Sequence, residues 1–142
     1  MRGRIGAAMV GMAAALLFAA SAGSGEKKSK PPKATVVEGT LIDTKCFSQD
    51  PANAGNDHGI GADKIEGCAE ACAKMGIPVG LLTPKREVYI LITPAEAFAE
   101  HMGKTARATG AKVYRGTAIR PDSVQVQGAD GAWVPVEFHS MM

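Results

Sequence analysis

A small, mainly β barrel with two short helices is what this 142-residue sequence predicts, with a cysteine-bearing loop and helix inserted after the first strand. Three observations predict it. Short segments rich in β-branched residues recur between Gly-, Pro- and Asn-rich punctuation. Their order is strand, inserted loop and helix, strand, strand, helix, strand, strand, strand. Third, Val36-x-x-Gly39-Thr40-x-Ile42 is echoed at the same offsets by Val113-x-x-Gly116-Thr117-x-Ile119. Glycine inside a strand marks a bulge or sharp bend, as at a barrel corner. Apart from the insertion, this is the order of an OB-fold: three strands, a helix, then two strands. The first and fourth strands are neighbours in that fold, so the two Gly-Thr bends are expected side by side.

Val36 to Asp43 reads as the first strand. From Thr44 to Gly61 the chain is loop-like, punctuated by Pro51, Asn53, Gly55, Asn56, Asp57 and Gly59. A helix is expected from about Asp63 to Met75, stopped by Gly76 and Pro78. Its residues Ile65, Cys68, Ala69, Cys72 and Ala73 share one helical face. Val79 to Leu82 and Val88 to Ile92 form a hairpin across Pro84-Lys85-Arg86. Thr93 reads as a helix cap, with Pro94 at the first helical position and Glu96 three residues after the cap. That helix ends near Gly103. Strands follow at Lys112 to Ile119, Ser123 to Gln127 and, past the turn Gly128-Ala129-Asp130-Gly131, Trp133 to Phe138.

The start of the chain reads as an export leader. Arg2 and Arg4 precede an apolar run from Ile5 to Ala20, and Ala20-Ser21-Ala22 fits an A-x-A cleavage site, giving a signal peptide over 1–22 and a mature start near Gly23. About 16 apolar residues is short for a membrane span of about 20. Arg2 and Arg4 are not adjacent, so the signal is of the general secretory type rather than twin-arginine. Residues 23–35, GSGEKKSKPPKAT, lack any large apolar side chain and read as a flexible basic linker. The domain proper is expected over 36–142, in the periplasm or outside the cell, with no integral span once the leader is gone.

The formal net charge of +2 misleads, because it counts the leader. Setting aside Arg2 and Arg4 leaves 14 basic side chains against 14 acidic ones. The linker holds Lys27, Lys28, Lys30 and Lys33 against Glu26, a net of +3, so residues 36–142 carry about −3. A slightly acidic domain with few aromatics suits neither a phosphate backbone nor base stacking, so no nucleic-acid partner is expected.

All three cysteines fall between Cys46 and Cys72, with His58 between them: Cys46, His58, then Cys68-Ala69-Glu70-Ala71-Cys72. Three cysteines cannot all pair within one chain, and a leftover thiol in an oxidising compartment needs a reason. At i and i+4 on a helix, Cys68 and Cys72 have β-carbons about 5–6 Å apart, whereas a disulfide needs roughly 3.5–4.5 Å. Two thiolates at that spacing can instead converge on one ion, and soft sulfur with imidazole suits zinc or copper(I). Cys46, His58, Cys68 and Cys72 are therefore the candidate metal ligands, a Cys3His set that would also order a long polar loop. Asp43 and Glu70 are candidates for holding His58 or a water beside the ion.

Other readings stand beside this one. Cysteine is often a small buried hydrophobe. A single disulfide from Cys46 to Cys68 or Cys72 would staple the loop to the helix, making a module that contacts another envelope protein. A thiol-disulfide reductant would need an exposed thiol of low pKa. His101 and His139 are isolated and read as surface residues; Met141 and Met142 could touch copper but read as a floppy chain end. No nucleophile elbow, phosphate loop, haem attachment or H-E-x-x-H motif is present, so no catalytic residue is assigned and an enzyme is not expected.

Cys68-x-x-x-Cys72 with a separate histidine resembles the copper-delivery proteins of the Sco family. Together with Met75, it also resembles part of the binuclear copper loop of cytochrome oxidase subunit two. Both likenesses cover under ten residues and imply copper competence. A broader one spans Asp43-x-x-Cys46-Phe47, the loop histidine, and Cys68-Ala69-x-x-Cys72-Ala73-x-x-Gly76-x-Pro78-x-Gly80-Leu81-Leu82. It continues through the Tyr-bearing strand Val88-Tyr89-Ile90-Leu91 and a late Gly-Thr strand. This pattern resembles a group of small exported bacterial proteins of OB-fold-like architecture and no established activity. It implies export, and that the cysteines and histidine belong together.

Overall fold

Residues 33–139 are described by a computed structural model. The expected leader, nearly all of the linker, Met141 and Met142 lie outside the described residues. In chain order the elements are β1 (Ala34–Asp43), α1 (Thr44–Gln49), β2 (His58–Ile60), β3 (Asp63–Ile65), α2 (Cys68–Lys74), β4 (Val79–Leu82) and β5 (Val88–Leu91). A 3₁₀ helix (Ala95–His101), β6 (Thr105–Val113), a 3₁₀ turn (Tyr114–Gly116), β7 (Ala118–Gln127) and β8 (Trp133–Pro135) complete the described chain.

Burial on β1 follows the two-residue period of a pleated strand: Val37, Gly39, Leu41 and Asp43 form one buried row. β1 pairs antiparallel with β4 on one side and with β6 on the other. β4 continues to β5, and β6 to β7, both antiparallel. β5 and β7 then meet in parallel, Ile90 beside Ala118 and Leu91 beside Ile119, which closes the ring β1-β4-β5-β7-β6. The architecture is the expected mainly β barrel with a Cys-bearing insertion after its first strand. Leu41, Leu81, Leu91, Ile119, Val124 and Phe98 fill its core. β8 lies outside the ring, paired to β7.

Several elements differ from the sequence reading. The fourth strand is Thr105–Val113, not Lys112 to Ile119. Its Ala-rich sequence carries little β-propensity, yet Ala106 and Ala108 are completely buried. The close approach in this part of the sheet is on the other side of β1, at Gly39. Gly39 pairs with Ala106, and a β-carbon added at Gly39 would sit 2.5 Å from the Leu82 carbonyl oxygen. The Gly-Thr echo therefore has two different origins: Gly39 lies mid-strand, whereas Gly116 ends the turn before β7 at φ 90°, so the two bends are not side by side. β7 runs unbroken through Pro121, which sits at the register shift of β6 at Thr109/Gly110, where the ladder is already interrupted. Ala34 and Thr35, read as linker, pair with Ala111 and Gly110.

The expected helix from Asp63 is split. Asp63–Ile65 pairs with His58–Ile60 in a small hairpin, and α2 begins only at Cys68, after Gly67 in the left-handed region. Ile65 is exposed and takes no part in the apolar face. The segment after Pro94 is a 3₁₀ helix without a side-chain cap, and the buried Thr93 hydroxyl has no hydrogen-bond partner. α2 packs on this 3₁₀ helix and on β1.

Gly103 joins the barrel to the insertion. It sits at φ 78°, and an added β-carbon would lie 2.9 Å from the Asn56 backbone nitrogen. Gly103→Ala is expected to destabilise the fold by at least about 1 kcal/mol, since alanine is strained at positive φ and would also push the loop outward. A urea titration of the two proteins checks this.

Candidate metal centre

The last buried residue of β1 begins the site. Asp43 Oδ1 accepts from the Lys45 amide at 2.9 Å and Oδ2 from the Cys46 amide at 3.3 Å, so the aspartate caps α1. This is why the Asp-x-x-Cys spacing matters: the cap turns the strand into a helix whose first turn carries Cys46. Cys46 falls in the stretch expected to be loop; it lies on α1, buried.

α2 is capped from a distance. Its own N-cap, Gly67, has no side chain, and the loop supplies the missing acceptors. The Asn56 carbonyl accepts from the Ala69 amide and the Asn56 side chain from the Glu70 amide, both at 3.0 Å. Asp57 accepts from the Gly67 amide at 2.9 Å. Asn53, itself buried, accepts from the Gly59 amide at 2.8 Å and donates to the Gly59 carbonyl at 3.2 Å. Among these bonds, those of Asn56 and Asp57 satisfy amides at the start of α2, while those of Asn53 fix Gly59 beside the histidine. They also hold His58, at the start of β2, between α1 and α2. Asn53 and Asn56 were read only as loop punctuation; their partners are distant in sequence, so only their residue type hinted at the role.

His58 is completely buried. Its Nε2 lies 3.1 Å from the Gly55 carbonyl oxygen, which can only accept, so Nε2 carries the hydrogen. In the neutral ring, Nδ1 then holds a free lone pair. That atom has no hydrogen-bond partner and lies 3.9 Å from Asp43 Oδ2. A backbone carbonyl on one ring nitrogen and a bare lone pair on the other is the arrangement of a metal-bound imidazole.

The four expected ligands come together. Donor atoms of Cys46, His58 and Cys68 lie within 4.8 Å of one another, and so do those of Asp43, Cys46 and Cys72. Tetrahedral zinc–sulfur bonds of about 2.3 Å place sulfurs roughly 3.8 Å apart, so within each group of three a small contraction brings the donors to metal-binding distance. The residues present fit a soft metal ion. All three cysteines are free, with Cys46 and Cys72 buried and Cys68 half-buried.

Without a cation Cys46 and Cys72 are poor nucleophiles. Burial, followed by the hydrogen bond and charge of Asp43, pushes the Cys46 thiol up to about 12. Burial, then Asp43, raises Cys72 as well. A redox-active pair needs the opposite environment. Glu70 does not reach the site; it pairs with Lys74 at 2.6 Å on the outer face of α2. His101 sits beside Lys104, and His139 is exposed near the C-terminus.

No protein family, curated protein or solved structure matches this chain.

Proposed function

We propose that the protein is an exported metal-binding protein that holds a soft ion, copper or zinc, on Cys46, His58, Cys68 and Cys72. One observation carries the reading: a fully buried histidine with an unpartnered Nδ1 lies in one cluster with the Cys46 and Cys68 thiols. A buried polar atom without a partner is costly and rare, and a metal ion is the partner this one lacks. The raised thiols support it, because a bound cation supplies the charge that stabilises thiolate there. Export rests on the leader pattern and on the likeness to small exported proteins. No helix among the described residues is long and apolar enough to cross a membrane.

The test is to direct the chain to a bacterial periplasm, purify it without chelator, and measure copper, zinc and free thiols on one sample. At least one equivalent of copper or zinc, released by chelator together with reactive thiols, is the expected result. No metal with a single free thiol would replace this reading with a disulfide-stapled module that docks on another envelope protein. No metal with three free thiols would leave it without support.

A further inference from the structure

The two groups of donor atoms overlap in one residue. Cys46 belongs both to the set with His58 and Cys68 and to the set with Asp43 and Cys72. The geometry points to a binuclear centre, in which the Cys46 sulfur bridges two zinc ions, one held by His58 and Cys68, the other by Asp43 and Cys72. This rests on the metal-binding reading above and adds a second ion and a new ligand, Asp43. When a single ion is bound, Cys72 serves it; the second ion takes Cys72 and the carboxylate for itself.

Two further features favour it. Asp43 accepts one backbone amide on each oxygen, and its remaining lone pairs face the Cys46 and Cys72 thiols, whose protons a bound ion would replace. Charge is the second. Three thiolates and one carboxylate carry four negative charges in a pocket where Asp43, Cys46 and Cys72 are all at least nine-tenths buried. Among the described residues, no lysine or arginine forms an ion pair with any of them; the only basic side chain paired with Asp43 is His58. Buried charge without compensation is strongly unfavourable. One divalent ion leaves two negative charges unbalanced, whereas two divalent ions cancel all four. Zinc therefore suits the double site better than copper(I).

Zinc titration of the reduced full chain, followed by native mass spectrometry, reads the stoichiometry directly. Two zinc ions per chain are expected, falling to one in Cys72→Ser and in Asp43→Asn, where asparagine still caps α1. Saturation at one zinc in the unaltered chain would overturn the binuclear centre and leave the metal-binding proposal standing; no zinc at all would overturn the binuclear centre and confine the metal-binding proposal to copper. Two ions retained in both variants would place the second ion elsewhere and overturn the assignment. Should either variant fail to fold, cobalt(II) in the unaltered chain decides. A thiolate bridge couples the two ions, so the electron paramagnetic signal that grows to one equivalent falls by at least half at two. A signal that doubles instead overturns the bridge.

Discussion

Cys46→Ser is expected to cost the protein its metal and little of its fold. Cys46 is the one donor shared by both groups, so its loss leaves no set of three mutually close ligands. Loss of a residue that only supports a ligand typically lowers metal affinity by about 10–100-fold, so loss of the shared ligand is expected to exceed about 100-fold. The fold is insulated from this change. The bonds that cap α1 run from Asp43 to the Lys45 and Cys46 amides and do not involve the sulfur. Serine is slightly smaller, and its hydroxyl can bond the neighbouring carboxylate. Competition for zinc against a chromophoric chelator measures the affinity, and circular dichroism checks the fold. Glu70→Gln is the control: Glu70 pairs with Lys74 on the exposed face of α2, so its affinity should match the unaltered chain. Unchanged affinity in Cys46→Ser would mean that the ion sits away from the α1–α2 junction.

What the sequence revealed of this site, and what it hid, divides along local and distant contacts. The ligands were visible because three cysteines and a histidine confined to one insertion already imply convergence. Asp43 was visible as a neighbour because an N-cap acts within three residues. The burial of His58 was not, since it depends on Asn53 clasping Gly59 and on Asn56 capping α2 fourteen residues downstream. Periodicity misled at α2: Ile65, Cys68, Ala69, Cys72 and Ala73 keep helical spacing, but Gly67 at φ 66° breaks the helix between the first two. The barrel order was legible, because its strands alternate with recognisable turns. The exception was β6, whose alanines are poor strand formers yet occupy fully buried positions at Ala106 and Ala108. Thr93-Pro94-x-Glu96 has the composition of a capping box, yet the segment folds as a 3₁₀ helix and the threonine bonds nothing.

Binding the metal should also be worth a large part of the stability of the insertion. A ligand that binds only the folded state adds about 4 kcal/mol when present at a thousand times its dissociation constant. For a domain of this size, each kcal/mol moves the thermal midpoint by roughly 4 °C, so zinc at that excess should raise Tm by about 16 °C. Chelator should reverse the shift. Cys68→Ser isolates the cause: Cys68 is the half-buried ligand, so its replacement should leave the metal-free midpoint within about 2 °C while removing most of the zinc-dependent rise. Amide hydrogen exchange locates the effect. Protection should increase from Asn53 to Glu70, where backbone order depends on a few side-chain clasps, and change little in the barrel strands. Equal midpoints with and without zinc would mean that zinc does not bind the folded chain in preference to the unfolded one, and would count against the metal centre.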